Sequence, residues 1–301
     1  MNQTTKVLIG VVTLLIFTGV IFMTFDNDEE PVAPIPIEPV IEEIITAAPT
    51  PTSTERTIGN SVQGRSIRAY TYGTGETDIL FVGGMHGGYE WNSILLAYET
   101  IDHLKNNSDT VPDNVTVHII PNLNPDGLFA ATGLEERFTA NDIPNNSMHT
   151  SGIGRFNAND VDLNRNFDCK WAPKSSWRGE IVSAGTSAFS EPEAETLRNY
   201  VTTVTPEAVI FWHSKANNVY ASECENGILP ETLTLMQAYS IAGEYGAVPV
   251  FDAYQITGDA EGWLASIGIP AITVELGSRT SIEWTQNLAG VNAILNMYGN
   301  K

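Results

Sequence analysis

The stretch Phe81-Val82-Gly83-Gly84-Met85-His86-Gly87-Gly88-Tyr89-Glu90-Trp91-Asn92 decides how this chain is read. It starts as an apolar run and passes through a turn rich in glycine. Apolar residues then take up helical spacing over 91–104. Strand, tight turn and helix in that order form one unit of a layered α/β fold. Glycine lets the backbone bend sharply, so the imidazole of His86 and the carboxylate of Glu90 can converge. Two other apolar runs also end in chemically active side chains: Ile210-Phe211-Trp212-His213 and Ile272-Thr273-Val274-Glu275.

Around these runs the pattern is α/β throughout. Strands are expected over 66–72, 78–83, 114–121, 208–212 and 271–276. Helices are expected over 191–204, 230–245 and 282–298, the first with Ser190 as N-cap and Pro192 in its first turn. Strands alternating with helices argue for a largely buried sheet, and ligands of such sheets bind outside the carboxyl ends of strands. His86, His213 and Glu275 all fall at such ends.

The rest of the chain bounds the setting. It has 301 residues, with 15 Lys and Arg against 36 Asp and Glu, a formal charge of −21. No nucleic-acid partner is expected of so acidic a chain. Residues 7–25 carry no charge and are long enough to cross a bilayer. Lys6 precedes them and Asp26, Asp28, Glu29 and Glu30 follow, so the bulk of the chain is expected on the extracytoplasmic face of the membrane. No small-x-small cleavage site follows the run, which favours a retained anchor over a cleaved signal. Residues 26–55 hold six prolines, eight acids and no Lys or Arg, the composition of a semi-stiff spacer. Three segments are therefore expected: 1–25 as anchor or signal, 26–55 as linker, 56–301 as the folded domain. The last has 14 basic and 28 acidic residues.

Two imidazoles and one carboxylate, with a position left open for water, form a catalytic zinc site. His86, Glu90 and His213 are the candidate ligands of one Zn2+, and Glu275 is the candidate general base. His103, His118 and His149 stand in a polar helix end, a strand and a polar loop, and are expected to be structural or solvated.

In their order along the chain, these segments resemble the zinc carboxypeptidase family, which includes pancreatic carboxypeptidases and bacterial murein tripeptide amidases. Asn124-Pro125-Asp126-Gly127, Val161-Asp162-Leu163-Asn164-Arg165-Asn166-Phe167 and Tyr254-Gln255-Ile256-Thr257-Gly258 are similar to family stretches, and the likeness extends over nearly all of 56–301. The resemblance implies a mixed central sheet flanked by helices on both faces. It implies that Asn164 and Arg165 clamp the substrate's terminal carboxylate, that Arg155 polarises the scissile carbonyl, and that Tyr254 closes over the product side. One departure stands out. The family places its ligand Glu three residues after the ligand His; here that position is Tyr89, and the acid, Glu90, is at four. Tyr89 is a poor metal ligand at neutral pH, so a bulge in the Gly87-Gly88 turn is expected to bring Glu90 into place.

The family alignment also puts Glu261 at the floor of the pocket for the last side chain and Glu223 at a second pocket position. Asp259 is an alternative acid on the same loop. Acids there favour a Lys, Arg or diaminopimelate end. The implied activity is an extracytoplasmic, monomeric metallocarboxypeptidase that uses zinc-activated water to remove the last residue of peptides with a free C-terminal carboxylate. The peptides could be cell-wall-derived or extracellular. A related deacylase acting on acylated amino acids and a non-catalytic peptide-binding module are the alternatives. Cys169 and Cys224 are both expected at the cleft rim and can form a disulfide outside the cytoplasm; two free thiols are the other reading.

Overall fold

The computed structural model describes residues 54–144, 152–252 and 254–300. The expected span over 7–25, most of the linker and His149 lie outside the described residues. Among the described residues, no helix is long and apolar enough to cross a membrane.

The chain order is β1 (Thr54–Asn60), β2 (Ser66–Gly73), β3 (Thr77–Val82), α1 (Trp91–Asn106), β4 (Val115–Ile120) and α2 (Pro125–Thr132). There follow β5 (Lys174–Trp177), β6 (Glu180–Ser183), α3 (Pro192–Val204), β7 (Ala208–Ser214), β8 (Asn218–Ala221), β9 (Glu223–Cys224) and β10 (Gly227–Ile228). The chain continues with α4 (Pro230–Gly243), β11 (Gly246–Val248), α5 (Ala260–Ser266), β12 (Ala271–Leu276) and α6 (Trp284–Gly299). Eight strands form one sheet in the order β1-β2-β4-β3-β7-β12-β8-β11. Its centre, β4-β3-β7-β12, is parallel, β1 and β2 pair antiparallel to their neighbours, and β8 runs antiparallel to β12 but parallel to β11, so the sheet is mixed.

Alternation along the central strands divides the core in two. Ile79, Phe81, Ile210 and Trp212 face one side and pack against Ile101 of α1, Tyr239 of α4 and Ile294 of α6. Leu80, Val82, Val209 and Phe211 face the other side, against Leu197 of α3 and Leu264 of α5. Strands covered on both faces have no polar side to show, which is why β4 and β7 are buried along their whole length.

Several local expectations are refined. The N-cap of α3 is Glu191, with Pro192 at the first helical position. Ser190 instead donates to a Glu191 carboxylate oxygen and accepts from Asn166. Asn124-Pro125-Asp126-Gly127 opens α2, and the Asn124 side chain caps it by accepting from the Gly127 N–H at 2.8 Å. Helix α4 ends at Gly243 because Glu244 turns left-handed.

For the site, what matters is the common direction of β3, β7 and β12. Val82 pairs with Phe211, and Glu275 pairs with His213. The carboxyl ends of three adjacent parallel strands therefore open onto one place.

Candidate active site

A cleft of about 620 Å³ lies at those strand ends. His86 follows β3 in a 3₁₀ turn over Gly87–Glu90. Gly87 takes φ +45°, and a Cβ there would come within 2.8 Å of three backbone atoms, two of them the carbonyl oxygens of Asn124 and Gly154. That turn absorbs the extra residue between His86 and Glu90. The Glu90 carboxylate meets His86 Nδ1 at 3.1 Å through Oε1 and His213 Nδ1 at 3.0 Å through Oε2. The two Nδ1 atoms are themselves 3.2 Å apart.

Two imidazole nitrogens and a carboxylate facing one another share too few protons to satisfy all three pairs; a cation satisfies them at once. All three side chains are buried, and their donor atoms lie within 4.8 Å of one another. The far ring nitrogens fit the same reading. His86 Nε2 faces Asp162 Oδ1 at 3.5 Å, and His213 Nε2 faces Glu261 Oε1 at 3.6 Å. Both nitrogens are buried without a hydrogen bond among the described residues. A carboxylate behind each imidazole fixes its tautomer and directs the other nitrogen's lone pair inward. Two neutral imidazoles and one carboxylate suit zinc.

Charge within the site is balanced by pairing. Burial alone would raise Glu90, but the adjoining rings, His86 before His213, hold its carboxyl well below the usual range. Burial likewise acts to raise Asp162, yet Arg155 overrides it and keeps the carboxyl far below its ordinary value. Arg155 grips Asp162 Oδ2 through Nη2 at 2.9 Å and Nε at 3.0 Å, and its guanidinium lies 4.7 Å from the Trp177 ring centre. Glu275 is pushed up to about 7, first by burial and then by the Glu90 charge, against the pull of His213, Arg279 and Arg155.

Asn164, Arg165, Tyr254, Glu223, Asp259 and Glu261 line the same cleft, as does Cys169, while Cys224 does not. Asn164 Oδ1 accepts from the Ala260 N–H at 2.9 Å, which ties the Asn164 side chain to the start of α5. Arg165 is buried beside it, and its Nε has no hydrogen bond among the described residues. Gly258 holds the tyrosine loop against this segment. Its N–H donates to the Cys169 carbonyl at 2.7 Å, and its carbonyl accepts from Phe167 at 2.8 Å. At φ +70° a Cβ on Gly258 would sit 2.2 Å from the Arg165 carbonyl oxygen. Tyr254 is 40% exposed, with its ring edge-on to Phe251 at 4.8 Å.

Glu261 is buried and accepts from Thr273 Oγ1 at 2.8 Å. Glu223 is exposed on β9 at the cleft margin. Asp259 caps α5, and burial together with the Glu261 charge pushes it up to about 6. Cys169 and Cys224 form a disulfide across 55 residues of sequence, joining the Arg165 segment to the β9–β10 hairpin. In the chain-entropy model, closing a loop of that size stabilises by roughly 4 kcal/mol.

Sequence reading did not assign Asp162, Thr273 or Arg279. Asp162 was within sight: an acid between two apolar residues, Val161 and Leu163, is costly to bury without a partner. Arg279 stands in a Gly-Ser-Arg-Thr-Ser loop whose pattern marks no site.

The profile of the zinc carboxypeptidase family (peptidase M14) matches residues 37–281. Among curated relatives, the γ-D-glutamyl-L-diamino acid endopeptidase 1 of Lysinibacillus sphaericus is 27% identical over 246 residues, 74% of this chain and 60% of that protein. The carboxypeptidase B of Astacus astacus is 29% identical over 152 residues, 48% of each chain. The chain thus spans about half to three-fifths of the length of these two relatives. Among solved structures, the murein-tripeptide amidase of Escherichia coli O157 superposes with a TM-score of 0.57 at 21% identity, over 80% of this chain and 90% of the other. The carboxypeptidase A of Helicoverpa armigera gives 0.61 at 20% identity, over 82% and 67%. These likenesses show a shared fold. With the family profile covering most of the sequence and a His-Glu-His donor set at the strand ends, this chain belongs to the zinc carboxypeptidase family, whose members are peptide hydrolases that use one zinc.

Proposed function

We propose that this chain removes a basic or diaminopimelate-like residue from the C-terminus of peptides on the extracytoplasmic side of a membrane. It would be held there as a monomer by residues 7–25. The observation that carries the specificity is the acid pair of buried Glu261 and part-buried Asp259, which lines the same cleft as Asn164 and Arg165. An acid buried where the last side chain would lie is costly unless a cation answers it. Glu223 at the margin adds to the negative potential. The name of the Lysinibacillus relative, which specifies a diamino acid, supports the same reading.

His86, Glu90 and His213 would hold zinc, which supplies a Lewis acid that polarises the scissile carbonyl and activates water. Glu275 accepts the proton of the attacking water and passes it to the leaving amine. Arg155 opposes the negative charge that develops on the carbonyl oxygen. Arg165 reads the terminal carboxylate as a fork, and Asn164 adds a donor. Tyr254 closes over the departing residue. A free chain end is therefore required, and capped peptides are excluded.

The test is a panel of peptides alike except for a final Lys, Arg, diaminopimelate or Phe, each with a free or amidated end. Faster release of the basic residues from free ends is expected. A clear preference for Phe, or equal cutting of amidated peptides, contradicts the reading. Orientation is tested separately by protease accessibility of the folded domain in intact cells against lysed ones; protection in intact cells argues against the extracytoplasmic location.

A further inference from the structure

Asn92 is the second residue of α1, yet its side chain neither caps that helix nor reaches water. It is fully buried, and its amide joins two segments distant in sequence. Oδ1 accepts from Ser214 Oγ at 3.0 Å. Nδ2 donates to the Ser278 carbonyl at 2.8 Å and to the Ser281 carbonyl at 3.0 Å. Ser214 follows His213 at the end of β7, and Ser278 and Ser281 belong to the loop that leaves β12. An amide offers one acceptor and two donors on a short planar group; a carboxylate of the same shape has no donor.

Both segments touch the Glu90 carboxylate. The Ser214 N–H donates to Oε2 at 3.2 Å, and Arg279, within the loop, meets Oε1 through Nη1 at 3.4 Å. The loop is gripped from its other side by Glu283, which accepts from the Gly277 N–H at 3.0 Å and the Ser278 N–H at 3.1 Å. Arg279 is further placed by lying 4.0 Å from the Tyr89 ring centre. The backbone of Glu90 is held separately. Its carbonyl accepts from Ser93 Oγ at 2.7 Å, and that hydroxyl accepts from the Gly84 N–H at 3.1 Å. The Ser214 N–H and Arg279 are therefore the contacts that orient the carboxylate from outside the donor set, with Arg155 more distant at 3.9 Å.

Orientation matters more here than at the usual spacing. Glu90 stands four residues after His86 and arrives through a 3₁₀ turn, so the helix that follows does not by itself aim its side chain. Outer partners of metal ligands fix ligand geometry, and their loss weakens metal binding even where the ligands remain. We propose that Asn92 is a positioning residue for the metal donor Glu90: by tying Ser214 to the 278–281 loop, it fixes the N–H and the guanidinium that orient the carboxylate. Arg279, which has no part in the scheme above, is one of the two arms. This rests on the proposed function in one respect, the assignment of Glu90 as a zinc donor.

The test measures zinc affinity by competition with a chelator, beside denaturant unfolding of the metal-free chain. Asn92→Ala should bind zinc about 10- to 100-fold more weakly than the wild type. Asn92→Asp keeps the acceptor for Ser214 but loses both donors, so it should not restore the affinity. A purely structural amide would lower the stability of the metal-free chain and leave zinc affinity alone, and that result in Asn92→Ala overturns the inference. Ser214→Ala and Arg279→Gln keep the buried amide and each weaken one arm, which guards against a failure of the Asn92 variants to fold. Each should weaken zinc binding by about threefold or more; wild-type affinity in both also overturns the inference. In these cases the wild type binds zinc and Glu90→Ala does not, so the proposed function stands. Zinc bound equally by the wild type and Glu90→Ala, or by neither, would overturn the donor assignment and the inference together.

Discussion

His118 and the pair His86 and His213 are all buried histidines next to carboxylates, and they differ in how their nitrogens are spent. His118 lies within β4 and uses both ring nitrogens: Nε2 pairs with Asp78 at 2.7 Å and Nδ1 with the Tyr200 hydroxyl at 2.9 Å. Nothing is left over for a ligand. His86 and His213 stand at the ends of their strands. Each sets one nitrogen near a carboxylate and turns the other toward Glu90 and toward its twin at 3.2 Å. Burial beside an acid therefore does not mark a metal ligand. The mark is two half-satisfied rings meeting at one carboxylate: His86 lies beyond the end of β3, and His213, still paired with Glu275 of β12, lies past the last β3–β7 pair, Val82 with Phe211.

Substitutions can break that contrast, and the largest effect is expected at the group facing the donors. Glu275→Gln should lower turnover by about 100- to 10,000-fold while zinc content stays at the wild-type level, as read by steady-state kinetics beside metal analysis. Asp162→Asn removes the carboxylate behind His86 and the partner of Arg155. Its zinc affinity, measured by competition with a chelator, should weaken about 10- to 100-fold. If it binds zinc as the wild type does, Asp162 does not orient the ligand.

A smaller effect is expected at the pocket. Asp259 is pushed up to about 6, so it is ionised above that pH and neutral below it. Its attraction for a cationic end is therefore present at pH 7 and lost as the pH falls through about 6. The ratio of kcat/KM for Lys-ended over Phe-ended peptides should shrink between pH 7 and 5, and Glu261→Gln should reduce it about tenfold at pH 7. A ratio that does not change with pH would remove Asp259 from the recognition.

The smallest effect on function is expected at His118. His118→Ala should cost about 1–3 kcal/mol of stability by denaturant unfolding, because Asp78 and Tyr200 lose their partner, with activity per folded chain unchanged. Burial pushes His118 below its ordinary pKa of 6.5 despite Asp78. The fold thus favours the neutral ring. Its stabilising share is present above pH 6.5 and lost as the pH falls below it, so the variant should lose less stability than the wild type on acidification.

The parts legible in the sequence are those set by local pattern. Residues 208–212 and 271–276 read as strands because uninterrupted apolar runs leave no side for water. The ends of these runs then gave away His213 and Glu275. Short or polar elements were not legible. β8 and β11 hold only by pairing beside β12, and α5 hides behind the acids Asp259 and Glu261. Glu90 was legible as chemistry, and the Gly87-Gly88 turn as the place that has to absorb its extra residue; the positive φ of Gly87 is the detail that only the structure supplies. Asp162 and Arg279 acquire their roles only when distant segments meet: Asp162 against His86, and Arg279 stacked on Tyr89 from 190 residues away in sequence.

Among the described residues, His86, Glu90 and His213 are the group that could share one cation, and His118 stands apart from it. Zinc quantification of purified, zinc-supplemented protein, after removal of loosely bound metal, tests it directly. One zinc per chain is expected in the wild type and in His118→Ala, and less than about a tenth of that in Glu90→Ala and His213→Ala. Full zinc in the Glu90 or His213 variants, or loss of zinc in the folded His118 variant, would contradict it.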